Sequence, residues 1–214
     1  MGTFLKGIKK PLLISIVLLI ICGVGYPLLL TGISQLIFPK QANGSLITVQ
    51  GKTVGSELVG QDFSEVWFMK SRPSAVNYNT YSKEDIENGK YAGVGSGSKN
   101  YAPTNPELVK RVEADIADFL AANPNVSKED IPTDLLTASG SGLDPHISTR
   151  SAEIQIPALV LATGLSQEKL EDIVKNNTQG SLLGVFGNET VNVLMVNLEI
   201  AREMDLIGNE SYRK

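Results

Sequence analysis

Apolar and polar positions divide the chain sharply at Phe38. From Pro11 to Phe38 it runs 28 residues without a charge, dominated by Leu, Ile and Val. A helix needs about 20 apolar residues to cross the ~30 Å hydrocarbon core of a bilayer, and a helix of a soluble core keeps a polar face. The pattern therefore predicts one transmembrane helix over 11–38. A cleaved leader would have an apolar region of only about 7–15 residues and a small-x-small cleavage site. This run is longer, and no Ala-x-Ala follows it. Cys22 follows Ile20 and Ile21, where a lipidated cysteine would need small residues, so the helix is expected to be retained. Gly23, Gly25, Pro27, Thr31, Gly32 and Ser34 interrupt the aliphatic surface. Pro27 removes a backbone donor and predicts a kink, while the small residues suit close approach of a partner helix.

Beyond Lys40 the periods shorten. Leu46–Val49 and Thr53–Val54 read as strands around a Gln50-Gly51 turn, and Val66–Met69 as a further strand ended by Arg72-Pro73-Ser74. Asn77 to Pro103 is rich in Gly, Ser, Tyr and Asn without apolar periodicity, and reads as a long loop. Asn105-Pro106-Glu107 opens a helix with an Asn cap, Pro at the first position and an acid in the first turn. Leu108, Val109, Val112, Ile116, Phe119 and Leu120 then share one face up to Asn123-Pro124. Further helices are predicted from Ser148, disturbed by Pro157; from Gln167 to Asn176 after Ser166; and from about Val191 to Met204. The expected architecture is α+β, a single N-terminal transmembrane helix plus one helix-rich soluble domain with a small β-sheet. Its divisions are a short basic N-terminus (1–10), the span (11–38) and the soluble domain (39–214). No internal repeat is present.

Charge orients this arrangement. Lys6, Lys9 and Lys10 precede the span and Lys40 alone follows it closely, so the positive-inside bias predicts a cytoplasmic N-terminus and an extracytoplasmic domain. Beyond Lys40 stand 15 Lys and Arg against all 23 Asp and Glu, a net charge of −8. Nucleic-acid binding, which needs clustered cations, is excluded on that ground. One cysteine and one histidine also exclude a disulfide framework and Cys- or His-rich metal sites, so no metal site is expected.

Motifs for chemistry are sparse. Gly51-Lys52-Thr53 resembles the end of a phosphate loop, but Leu46 stands where the pattern needs Gly, so it reads as a turn. Gly93-Val94-Gly95-Ser96-Gly97 lacks the dinucleotide spacing and reads as a flexible loop. The least ordinary stretch is Thr137-Ala138-Ser139-Gly140-Ser141-Gly142-Leu143-Asp144-Pro145-His146. Its small residues permit close backbone approach, and its amides could cradle an anion; the alternative is a tight turn before the Ser148 cap. Ser139 or Ser141 with Asp144 and His146 also has the residue types of a membrane-tethered hydrolase, but no Gly-x-Ser-x-Gly elbow is present.

An ordered set of motifs points further. It comprises Gly55-Ser56-Glu57-Leu58-Val59-Gly60-Gln61 with Phe63, Trp67-Phe68, Ser71-Arg72-Pro73-Ser74-Ala75, Tyr78-Asn79 and Asn105-Pro106. The stretch from Thr137 to Pro145, Gln155-Ile156-Pro157, and Val191-Asn192-Val193-Leu194 with Asn197-Leu198 complete it. With the anchor, these residues resemble the C subunit of the bacterial Kdp-type potassium-transporting ATPase over essentially the whole chain. The resemblance implies a non-catalytic accessory subunit of a high-affinity ATP-driven potassium uptake complex. It would assist assembly and act as a chaperone that raises the ATP affinity of the P-type ATPase subunit. The implied partners are that catalytic subunit and the multi-span potassium-translocating subunit, in the bacterial cell membrane. No cofactor is expected to be firmly bound, and any ATP would be shared with the ATPase subunit. The chain lacks the Asp-Lys-Thr-Gly-Thr phosphorylation motif, consistent with a non-catalytic role. Gln61, Arg72, Ser74 and Gln155 are the candidate partner contacts; Ser139, Gly140, Ser141, Gly142, Asp144 and His146 form the candidate functional loop. Two departures stand out. Gly97-Ser98-Lys99-Asn100-Tyr101 replaces the usual Gly-Gly-Ser-Asn-Leu, and Ala158–Thr163 lacks the arginines common after the Gln-Ile-Pro motif. An extracytoplasmic domain also conflicts with direct contact to cytoplasmic ATP.

Overall fold

The structure, a computed structural model, describes residues 2–89, 93–181 and 187–208, with side chains from Gly7 onward. It comprises two compact units, Met1–Leu46 and Ile47–Lys214.

In the first unit, α1 (Gly2–Ile20) passes through a π-helical turn (Ile21–Gly25) into α2 (Tyr26–Ile37). Over Gly7–Ile37, 31 residues, mean hydropathy reaches 2.6 with none of the surface buried, so this helix is long and apolar enough to cross a membrane. The interruption expected at Pro27 takes the form of that π turn, in which the Tyr26 N–H donates to the Ile21 carbonyl. Pro27 has no N–H to give, and widening the preceding turn by one residue shifts the hydrogen-bond register ahead of it. Phe38 leaves the helix with extended φ, and a single turn, α3 (Pro39–Ala42), follows. The side-chain amides of Gln35 and Asn43 exchange hydrogen bonds of 3.2 and 3.1 Å across that corner.

The second unit opens within a hairpin of β1 (Leu46–Val49) and β2 (Lys52–Ser56), at the second residue of β1. Its turn residues Gln50 and Gly51 have φ of 49° and 74°, the pair of positive values that a type I′ hairpin turn requires. The predicted Val66–Met69 strand is absent. Met69 is fully buried, but its backbone pairs with a side chain: its N–H donates to Asn197 Oδ1 at 2.7 Å, and its carbonyl accepts from Asn197 Nδ2 at 2.9 Å. The next residue repeats the device, the Lys70 N–H donating to Gln155 Oε1 at 2.8 Å and the Lys70 carbonyl accepting from Nε2 at 3.3 Å. Two buried amides thus take the place of a neighbouring strand.

The stretch read as a long loop holds a short helix, α4 (Lys83–Glu87), started by a Ser82–Asp85 capping box. Five residues are too few to display a helical period. Residues 90–92 of that stretch lie outside the described residues. The next helix, α5 (Pro106–Ala122), matches expectation, with Asn105 Oδ1 accepting from the Glu107 N–H at 2.8 Å. Ile116, Phe119 and Leu120 pack against the core, whereas Val109 faces outward.

The helix expected from Ser148 is split. After β3 (His146–Ser148) come α6 (Thr149–Glu153) and α7 (Ile156–Thr163), the latter with Pro157 in its first turn. Ser148 Oγ caps Ser151 N–H at 3.1 Å, and the Asp134 carboxylate accepts from Ser148 N–H and Ser151 Oγ, both at 2.7 Å. As predicted, α8 (Gln167–Asn176) follows Ser166. Then come β4 (Thr178–Gln179), β5 (Thr190–Asn192) and α9 (Val193–Glu203). Val191 therefore belongs to a strand, not to the first turn of the last helix. The antiparallel sheet has the order β3-β5-β4, with Ile147 opposite Val191 and Thr178 also opposite Val191.

The core forms around α9, whose residues from Val193 to Ala201 are all buried. Fully burying an aliphatic side chain such as Val196 or Ile200 contributes about 1.5–3 kcal/mol. Together the elements make the α+β fold that the sequence predicts, with two small antiparallel sheets among the described residues in place of the single one expected.

Candidate functional site

The unusual loop is anchored at its C-terminal end, where His146 enters β3 opposite Asn192 and the Val193 N–H donates to the Pro145 carbonyl at 3.0 Å. Upstream, the chain folds on itself through its hydroxyls. Ser139 Oγ accepts from the Gly142 N–H at 2.9 Å, and Ser141 Oγ accepts from the Leu143 N–H at 3.1 Å. The two hydroxyls lie 3.3 Å apart. The amides at 142 and 143 are thus committed within the loop, not free to cradle an anion. Gly140 is open to solvent, with nothing near the position a Cβ would take.

Gly142 is the crossing point. Its φ is 67°, and a Cβ there would meet the Gly97 carbonyl oxygen at 2.7 Å and Val76 Cγ2 at 2.9 Å. Ser74 Oγ donates to the Gly142 carbonyl at 2.6 Å and accepts from the Tyr78 N–H at 2.9 Å, fastening the 71–79 segment to the loop. From the other side, the Gly97 N–H and Ser96 Oγ donate to the Ser141 carbonyl at 2.7 and 3.1 Å. Gly95 and the Asn79 side chain exchange two further bonds. Residues 95–97 of the glycine run therefore form a strap laid across the loop. Gly60 makes a second close approach: its N–H donates to the Leu143 carbonyl at 2.8 Å, and a Cβ there would lie 2.6 Å from the Asp144 carbonyl oxygen.

Charge enters through Arg72 and Asp144, paired at 2.8 Å and both half-buried; the guanidinium also donates to the Thr137 carbonyl at 3.4 Å. Asp144 Oδ1 accepts from the His146 N–H at 3.0 Å and lies 3.6 Å from His146 Nδ1. The His146 side chain, then its backbone N–H and Arg72, hold the Asp144 carboxyl below the ordinary carboxylate range against the opposing effect of burial. Burial pushes the Tyr78 phenol up to about 12, and it remains a donor to the Arg72 carbonyl at 2.5 Å.

A folded pKa that is lowered contributes stability that is present above the unfolded carboxylate value and lost as pH falls through the folded one. Asp144→Asn is expected to flatten the acid limb of a stability–pH profile below about pH 4. Thermal unfolding of the full chain in detergent, from neutral pH downward, reads this; parallel acid limbs for the variant and the parent would contradict it.

The structure brings Arg72, Ser74, Ser139, Ser141, Gly142, Asp144 and His146 into one cluster. Gln61 lies to one side, its Nε2 donating to the Val54 carbonyl at 2.9 Å. Gln155 is buried elsewhere, its amide spent on Lys70 and on the Ser151 carbonyl. Among the described residues neither serine hydroxyl bonds the His146 imidazole, whose Nε2 is buried without a partner. The same residues show no group of three or more His, Cys, Asp or Glu placed for a metal. Sequence reasoning passed over Asp134 and the pairing role of Asn197. The available signal for the latter was a polar residue inside an apolar helical stripe.

An apolar helix fit to span a bilayer and a small α+β domain with a hydroxyl- and glycine-stitched loop cluster together describe a membrane-anchored protein. A family model described as the K+-transporting ATPase c chain, KdpC, matches residues 8–202, and the chain belongs to that family. The chain is 70% identical over 210 residues to the potassium-transporting ATPase KdpC subunit of Clostridium kluyveri, covering 98% of this chain and 100% of the relative. Identity to the subunit of the same description in Clostridioides difficile is 58%, over 95% of this chain and 100% of the relative. For that of Caldanaerobacter subterraneus it is 43%, over 92% and 95%.

Proposed function

We propose that this chain is a non-catalytic accessory subunit of a high-affinity, ATP-driven potassium uptake complex, assisting its assembly and raising the ATP affinity of its P-type ATPase subunit. The observation that carries this reading is a match running from the apolar helix through α9, at 70% identity over 98% of the chain. The partners are the catalytic ATPase subunit and the multi-span subunit that passes potassium. The N-terminus lies in the cytoplasm and the domain outside, because Lys6, Lys9 and Lys10 precede the helix. The α1–α2 helix docks against a partner helix through its small residues, and the Arg72–Asp144 loop cluster presents a rigid surface to a partner. Hydrolysis at Ser139 or Ser141 is the weaker reading, since both hydroxyls are engaged within their own loop.

The test is a deletion strain and a tagged full-length chain. Growth and uptake at micromolar external potassium are expected to fail without the chain, and the tagged protein to co-purify with a P-type ATPase. Normal uptake in the deletion strain would overturn the reading. The ATP KM of the purified complex, with and without the chain, separates the chaperone role from assembly alone.

A further inference from the structure

The Lys70 side chain turns back onto its own segment. Its Nζ donates to the carbonyls of Phe63, Ser64 and Glu65 at 2.6, 2.8 and 3.0 Å. All three ammonium N–H groups are spent this way, and each partner is an acceptor-only backbone oxygen. Three consecutive carbonyls converging on one point concentrate partial negative charge there, which favours a cation between them. Of the three, the Glu65 carbonyl also accepts from a backbone group, the Phe68 N–H at 3.2 Å.

We propose that the Phe63, Ser64 and Glu65 carbonyls form a monovalent-cation site that the chain fills with its own Lys70 ammonium, and that accepts K+ or NH4+ when that ammonium is withdrawn. Rings of backbone carbonyls that replace a hydration shell are a known solution for holding potassium. Ammonium is close to potassium in radius and charge, so a cradle shaped for one fits the other.

The surroundings support a built site. Phe63 is buried, which fixes one end of the tripod. The backbone beneath the lysine stem is clamped by Gln155 at Lys70 and by Asn197 at Met69. Burial of the ammonium lowers its pKa, and Asp62 and Glu65 oppose that effect by favouring the charged form. Ser64 and Glu65 are exposed, so ions reach their carbonyls directly from solvent. The site rests on these contacts alone and is independent of the transport reading.

The experiment uses the full-length chain in detergent, as Lys70→Ala and as Lys70→Met, which retains an aliphatic stem. Thermal midpoints are compared in potassium, ammonium, sodium and choline chloride at one ionic strength. Both variants are expected to unfold several degrees earlier than the parent in choline. They should recover saturably in potassium or ammonium, as binding to the folded state requires, while the parent shows no difference between salts. Equilibrium dialysis with radioactive rubidium should add one bound ion per Lys70→Met chain over the parent. Equal midpoints in potassium and choline for both variants, or no added rubidium, would overturn the proposal. So would failure of both variants to fold in every salt, since potassium should then fill the vacated site.

Discussion

Asn197→Leu is expected to lower the unfolding free energy of the domain by about 2–6 kcal/mol, the sum of two backbone groups left unpaired at about 1–3 kcal/mol each. Leucine is close to asparagine in size and suits a helix, so neither volume nor propensity accounts for the loss. What disappears is the pairing of the Met69 N–H and carbonyl, both held by one side chain that is 1% exposed. No water-facing alternative exists for a residue as buried as Met69. Against a typical total of about 5–15 kcal/mol, the variant should unfold at markedly lower denaturant, read by tryptophan fluorescence of Trp67. Asn197→Asp should also destabilise, because it keeps the acceptor, loses the donor and buries a charge. Unchanged midpoints for both would contradict the view that amides stand in for the missing strand.

Gly142→Val should be the most damaging change in the loop cluster. The left-handed backbone, φ 67°, costs a side-chain-bearing residue about 1–2 kcal/mol. The close contacts with the Gly97 carbonyl and Val76 add an overpacking cost of about 1–3 kcal/mol. Neither neighbour yields easily, because Gly97 is bonded to Ser141 and Val76 lies in the segment fastened by Ser74. Gly140→Ala, two residues away, meets nothing and serves as the control. Thermal unfolding of the two variants should therefore separate by several degrees, with Gly140→Ala near the parent; coincident curves would mean that the strap does not depend on this crossing. Where the loop serves docking, Gly142→Val should also lose the co-purifying ATPase while Gly140→Ala keeps it.

The elements legible in advance are those in which local signals agree with the final packing. The charge-free run needs no partner to define it. The Gln50-Gly51 turn, the Asn105-Pro106 start and the Ser166 cap each carry their own chemistry within a few residues. The small sheet was not legible, since β3, β4 and β5 are two or three residues long and show no alternation. Val66–Met69 misled for the opposite reason. Its β-forming composition is genuine, but the Met69 backbone pairs with the Asn197 side chain, and that of the following Lys70 with Gln155, both far along the chain.

The same division runs through the candidate site. Arg72, Ser74 and the 139–146 stretch were singled out from sequence, but residue type and spacing alone left an anion cradle, a hydrolase and a tight turn open. Hydrogen bonds between segments up to about seventy positions apart decide how the loop is built. By itself, the sequence determined that the chain is membrane-anchored, acidic beyond its anchor and a member of a potassium-transporting ATPase subunit family. Hydropathy, charge and ordered motifs are properties of the chain read along its length. The tertiary structure alone decided which amides pair with which carbonyls, where Gly142 and Gly60 must be glycine, and that Lys70 closes on its own backbone. Those outcomes depend on distances between residues that only packing brings together.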